Sequence, residues 1–184
     1  YNMIKLILNI IFLISLSFCQ IQYEGIPKYF NSRIDNLVSL STEQSSIIDT
    51  DFDPMVFKYG DQYNLDVNIL ESSSVIFDDQ EVTYLLGIQS RGAFGIGINF
   101  SEFFLSENAK LYIYDFEQTY YIGSFTSLNN KESEVLSTSI VKSDHVIIEL
   151  TVPYNEIKNI KLHINSIIHD STDILNYYNN SSSN

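Results

Sequence analysis

The sequence predicts an all-β fold, an antiparallel β-sandwich of jelly-roll-like character. Three observations carry that expectation. Apolar residues recur at every second position over short runs, as half-buried strands require. Turn-forming clusters separate the runs at close intervals. No long helical period lies between them, which argues against alternating β and α units. A chain of 184 residues suits one domain with a continuous core, so neither a metal nor a disulfide is needed to explain folding.

Residues 1–19 come first. "MIKLILNIIFLISLSFCQ" opens with one cation, Lys5, followed by an apolar run from Leu6 to Phe18 broken only by Asn9, Ser15 and Ser17. This is the pattern of a secretory signal peptide, too short and too interrupted for a membrane span. Tyr1 and Asn2 precede Met3, which is the expected start. Cleavage between Cys19 and Gln20 places small residues, Ser17 and Cys19, where signal peptidase needs them. Lipidation of Cys19 through "LSFC" is the minor alternative, because Phe18 is large where such signals need a small residue. The expected location is secreted or cell-surface. Cys19 is the single cysteine, so a mature chain would be held by its core and hydrogen bonds alone.

Charge narrows the partners. The 23 acidic residues against ten Lys plus Arg give a formal net charge of −13, and losing Lys5 with the leader deepens it. That sign argues against nucleic-acid and anionic-lipid binding. No later segment is apolar for long enough to give the mature chain a transmembrane segment.

Residues 20–53 read as an extended lead-in, polar and weakly patterned, with "GIP" at Gly25–Pro27 as a turn and "IDNLVSL" as a short apolar patch. Ser41 or Thr42 would cap one helical turn in "STEQSSIID". The sandwich is expected over 54–170, beginning at "PMVFKYG", where Pro54 suits a strand start. Strands are expected at Tyr63–Leu70, Glu81–Ser90, Phe94–Phe100, Lys110–Asp115, Tyr120–Phe125, His145–Val152 and Ile160–Ile167. In "FGIGINF" the large residues Phe94, Ile96, Ile98 and Phe100 should face the core, while the glycines permit close approach on the other side. In "HVIIEL", Val146, Ile148 and Leu150 form one face, and His145, Ile147 and Glu149 a wet one. Turns fall at Asp78–Asp79, Arg91–Gly92, Ser106–Asn108, Leu128–Glu132 and Val152–Glu156. Residues 171–184 lose the pattern and read as a polar linker or truncated edge.

The order of "GIQSRGA" (Gly87–Ala93), "AKLYIYD" (Ala109–Asp115), "IGSFTSLNN" (Ile122–Asn130) and "VIIEL" (Val146–Leu150) resembles the β-rich domain that precedes the trypsin-like catalytic domain in secreted lysyl-endopeptidase-like proteins of Bacteroidetes. Tyr84, Leu85, Ser106 and Ser143 depart from that pattern. The resemblance implies a non-catalytic N-terminal region, or propeptide, of a serine protease precursor, with a downstream peptidase domain as its partner in cis. It also implies a role for Glu149, the acidic residue of the family's "IE" motif, as an interdomain contact or a partner of Arg91. The blander reading of Glu149 is a solvent-facing strand carboxylate bonded to a neighbouring loop.

Catalysis in this chain would need a nucleophile, an imidazole and an orienting carboxylate. The three imidazoles are His145, His163 and His169. His145 and His163 fall in the outward phase of their strands and no serine has a recognisable nucleophile context, so no catalytic residues and no cofactor are assigned. Asp49, Asp51 and Asp53 in "DTDFD" are weak Ca2+ candidates, since the sixth position of an EF-hand loop falls on Pro54 and the twelfth on Gly60. Asp78 and Asp79 read as a turn first. Tyr112, Tyr114, Tyr120 and Tyr121 are the candidate platform for a polysaccharide ligand, weighed against ordinary packing. Thr126, Asn129 and Asn130 read as turn-holding residues. The alternative function is therefore an extracellular carbohydrate- or ligand-binding module, with a purely structural adhesin-like domain behind it.

Overall fold

Alternation of apolar and polar residues becomes paired strands along most of the chain. The computed structural model describes residues 25–42 and 60–176. Among these, the strands are β1 (Val38–Ser41), β2 (Gly60–Asn68), β3 (Ser74–Phe77), β4 (Glu81–Gln89), β5 (Gly95–Phe104), β6 (Lys110–Asp115), β7 (Tyr121–Phe125), β8 (Leu136–Ser137), β9 (His145–Pro153) and β10 (Lys161–Asp170). A short helix, α1 (Ile69–Ser72), continues from β2, its N-terminus capped by Asn68. Two 3-10 turns occupy Ser127–Asn129 and Tyr154–Asn159. The fold is all-β, in two sheets.

One sheet has the order β1-β4-β9-β6-β7, with β3 also on β4; the other runs β2-β10-β5-β8. Val82, Leu86, Ile113, Ile148 and Leu150 of the first meet Ile98, Phe100, Leu162 and Ile164 of the second in one buried apolar cluster. That shared interior is what the two-residue period encodes: each sheet turns its apolar face to the other. Phe100 and Phe103 add an edge-to-face contact at 5.5 Å.

Four differences from the sequence expectation have physical causes. The sheet is not wholly antiparallel, because β1 pairs with β4 in parallel, Val38 opposite Leu86 through Ser41 opposite Gln89. Antiparallel β3 covers the preceding half of the same β4 edge, and Ser74 Oγ joins the two by accepting from Val38 N at 2.9 Å and donating to Asn36 O. Two short strands thus close an edge that would otherwise leave its backbone unpaired.

Second, β5 runs past Phe100 to Phe104, because a bulge across from His163 and Ile164 shifts the register. Ser101 and Glu102 both face solvent there, and Phe103 returns to the core. Alternation read from sequence ends at such a bulge although the strand does not. Phe94 lies just before β5 and is half exposed. Gly95 does permit close approach, since a Cβ there would stand 2.3 Å from Ile140 Cγ2, whereas a Cβ on Gly97 would meet nothing nearer than 3.6 Å, an ordinary contact.

Third, β2 ends at Asn68, so Ile69 and Leu70 belong to α1 rather than to the strand. Fourth, the lead-in is not merely extended. Residues 25–37 turn across the outer face of the first sheet before β1 joins it. The acidic triplet Asp49, Asp51 and Asp53, the expected sandwich start at Pro54 and most of "STEQSSIID" lie outside the described residues. Ser41, a candidate cap for that turn, ends β1.

Replacing Phe100, which is fully buried, by alanine should cost about 3–5 kcal/mol through lost burial and a residual cavity. Urea unfolding of the Phe100→Ala variant measures this; a loss under about 1 kcal/mol would mean that the shared interior is not where the structure puts it.

Candidate functional site

Outward-facing residues of β4, β6 and β9 are unusually apolar for a solvated sheet face. Leu85, Tyr112, Tyr114 and Ile147 form a second buried cluster, with Tyr29, Phe30, Ile34 and Leu37 of the N-terminal strap packed on it. Phe30 meets Tyr114 edge-on at 5.6 Å and Tyr121 at 5.2 Å. The face expected to be wet is therefore covered. Its β-strands are buried on both sides, which is why β4 is almost continuously buried from Val82 to Ile88.

Glu149 sits in the middle of this cover and is fully buried. Its carboxylate accepts from Lys28 N at 2.5 Å, Tyr29 N at 3.1 Å and the Tyr114 hydroxyl at 3.0 Å. The strap backbone thus finds its acceptor in a side chain of β9, where no ladder partner exists for it. Burial pushes the Glu149 carboxyl above the ordinary range, opposed by the Tyr29 and Lys28 amides, the Tyr114 hydroxyl and the Lys28 charge. Burial, with the neighbouring Glu149 charge, likewise raises the Tyr114 hydroxyl far above its ordinary value. At the rim, Lys28 Nζ bridges Asp78 and Glu81, each at 2.7 Å, which raises the ammonium group's pKa and holds the Asp78 carboxyl below its usual range.

The residues singled out from sequence separate accordingly. Glu149 does contact a neighbouring segment, but it is the N-terminal strap and not Arg91. Leu85 lies opposite Glu149 and Gln89 opposite His145, so Arg91, which is exposed, lies beyond the other end of β9. Tyr112 and Tyr114 are buried, Tyr121 is half-buried against Phe30, and Tyr120 alone of the four is exposed, at 53%. They do not form an open row.

Each histidine occupies a different setting. Ser39 Oγ lies 3.2 Å from His145 Nε2, and Phe116 stacks on the imidazole at 4.2 Å. Gly87 makes this contact possible: a Cβ there would stand 2.2 Å from Ser39 Oγ and 3.0 Å from His145 Nε2. Burial lowers the His145 pKa, partly offset by Asp144. His163 Nε2 pairs with Asp66 at 2.8 Å. His169 Nδ1 meets Ser90 Oγ at 2.8 Å, with Tyr63 edge-on to its ring. Two serine–histidine contacts exist, but no carboxylate is bonded to the other nitrogen of either ring among the described residues.

Turn chemistry accounts for other polar groups. Thr126 and Asn129 form a capping box, and Asn130 spends its amide on Leu105, accepting from the backbone N at 2.9 Å and donating to the O at 2.8 Å. Asp115 accepts from Thr119 N and Tyr120 N to close the β6–β7 hairpin. Asp78 caps its own turn through Asp79 N. Among the described residues no cluster of three or more metal-ligating side chains occurs, and no helix is long and apolar enough to cross a membrane.

Two concavities stand out among the described residues. One, of about 690 Å³, lies where the strap enters, beside Lys28, Glu81, Lys110, Tyr112 and Glu149. The other, of about 740 Å³, is bordered by Phe104, Ser106, Glu134, Glu156 and Lys161. Sequence reasoning did not find the second, because its residues come from separate turns and strand ends. No family model, curated protein or solved structure matches the chain.

Glu149→Ala should destabilise the protein by about 2–4 kcal/mol, since it orphans two strap amides and the Tyr114 hydroxyl. Chemical denaturation checks it, and an unchanged midpoint would contradict the clamp. The sign of the pH effect is also fixed. A carboxyl that binds its proton more tightly when folded contributes stability that falls as pH rises from its unfolded value, about 4.3, through the raised folded value. The stability difference between the wild type and Glu149→Gln should therefore decline over that window and level off above it.

Proposed function

We propose that the chain is the non-catalytic N-terminal region of an exported trypsin-like endopeptidase precursor, which assists the folding, inhibition or orientation of a downstream catalytic domain. The observation that carries the non-catalytic part is the dispersal of the three imidazoles. His145, His163 and His169 lie on β9 and β10 with separate partners, and among the described residues none is bonded to both a hydroxyl and a carboxylate. The peptidase partner rests on the order of "GIQSRGA", "AKLYIYD", "IGSFTSLNN" and "VIIEL". The fold favours such a role physically. β10 lies between β2 and β5 in its sheet, and Asp170 caps the turn after it by accepting from Thr172 N and Ile174 N at 2.9 Å each. The end of β10 is thus a fixed point, a suitable base for orienting a neighbouring domain.

A second reading, an extracellular polysaccharide-binding module, is favoured by the open groove beside Phe104. It is compatible with the first.

Reading the gene past the Asn184 codon and, where a peptidase domain is encoded, expressing the precursor with and without residues 20–176 tests the main proposal. The expected result is lysine-directed peptidase activity from the longer product, with a reduced yield of soluble enzyme when the region is deleted. A reading frame that ends without a peptidase domain, or full yield and unchanged latency after deletion, would overturn it.

A further inference from the structure

The groove beside Phe104 has a composition that selects its ligand. Its base is rigid: Asn130 pairs with both backbone polar groups of Leu105, and Phe103 N donates to Glu134 O. Glu134 itself holds a left-handed backbone, φ 52°, a conformation that a non-glycine residue adopts at some cost. The Phe104 ring is 37% exposed and supplies an apolar surface at the border.

Two of the charges of the groove are paired with each other, and a third is held by a neutral amide. Lys161 Nζ binds both oxygens of Glu134, at 2.9 and 3.1 Å. Glu156 accepts from Asn108 N at 3.1 Å and from Asn108 Nδ2 at 2.7 Å. The Asn108 amide first, and the Ser106 hydroxyl next to it, hold the Glu156 carboxyl below its ordinary range. Ser106 is 7% exposed, and its Oγ, although close enough to the Glu156 carboxylate to act on it, lacks a well-formed hydrogen bond. A buried hydroxyl in that state is costly unless something completes it.

A ligand that suits this surface is not an anion, because the three carboxylates of the groove, Glu107, Glu134 and Glu156, outnumber its two ammonium groups, Lys158 and Lys161, and the whole chain, at −13, repels anions; a neutral ligand needs no counter-charge there. It must offer donors to Glu134 and Glu156 and an acceptor to Lys161, and it must have an apolar face for Phe104. A sugar ring has both properties, hydroxyls around its edge and C–H groups on its face. We propose that the groove bordered by Phe104, Ser106, Glu134, Glu156 and Lys161 binds a short stretch of neutral polysaccharide, one sugar ring lying on Phe104 with its hydroxyls directed to the carboxylates and the lysine. The volume of about 740 Å³ is within the range of small-molecule sites. This inference rests on the second reading above and gives it a location different from the tyrosines.

The test is a titration of isotopically labelled protein with neutral gluco- and manno-oligosaccharides, and with an oligogalacturonate as the anionic counterpart, followed by amide resonances. The expected result is saturable shifts at Leu105, Ser106, Asn130 and Lys161 with a neutral sugar. Phe104→Ala should weaken that binding about five- to tenfold, the scale of a lost aromatic contact, and Tyr120→Ala should leave it unchanged. Unaltered melting of both variants establishes that they fold. Neutral-sugar binding that maps elsewhere or survives Phe104→Ala would overturn the groove while leaving the module reading intact. Preference for oligogalacturonate would overturn the neutral ligand, and no binding of any sugar would overturn both the groove and the module reading.

Discussion

A carboxylate buried on the outer face of a β-sheet governs how this molecule is put together. Desolvating an unpaired ionised carboxyl is prohibitively costly, so Glu149 can occupy its place only if something supplies donors. The backbone of Lys28 and Tyr29 does so, along with the Tyr114 hydroxyl. The requirement is mutual. The strap has no strand neighbour at these amides, and Glu149 is the acceptor they would otherwise lack. Polar satisfaction fixes where the strap crosses the sheet, and apolar contacts of Phe30, Ile34 and Leu37 with Tyr114, Ile147 and Leu85 give the crossing its area.

Seating the strap decides much else. The first sheet becomes a layer covered on both sides, by the second sheet within and by residues 25–37 without. The segment is then directed along the β4 edge, where β1 pairs in parallel and the Ser39–His145 contact forms over Gly87. Aromatic residues that would suit a ligand platform on an open sheet instead serve as packing for the strap. What could bind a partner is displaced to the margin of the second sheet, where Phe104 and the Glu134–Lys161 pair lie between turns.

The sequence makes the core legible and hides the cover. The bounds of β6 emerge from alternation, because Leu111 and Ile113 point to the interior and Tyr112 and Tyr114 point away. The same pattern contained a sign that the outer face is not solvated: Leu85, Tyr112, Tyr114 and Ile147 are all large and apolar in the outward phase. That signal is visible only when the strands are aligned side by side, which one sequence does not do. β1 and β3 were hidden for another reason. "VSLS" and "SVIF" are only four residues each, too short for alternation to stand out, and their pairing depends on the free edge of β4 rather than on their own propensity. The end of β5 was hidden by a bulge that places Ser101 and Glu102 on the solvent side together. The groove was illegible because its residues lie far apart in the chain and share no spacing.

Native-state hydrogen exchange at the amides of Lys28 and Tyr29 tests the central claim most directly. If Glu149 holds the strap, these two amides exchange far more slowly than those of exposed turns, although neither belongs to a helix or strand ladder. Exchange at the rate of an unstructured chain would contradict the account, because it would leave the buried carboxylate without its donors and the outer face of the sheet without its cover.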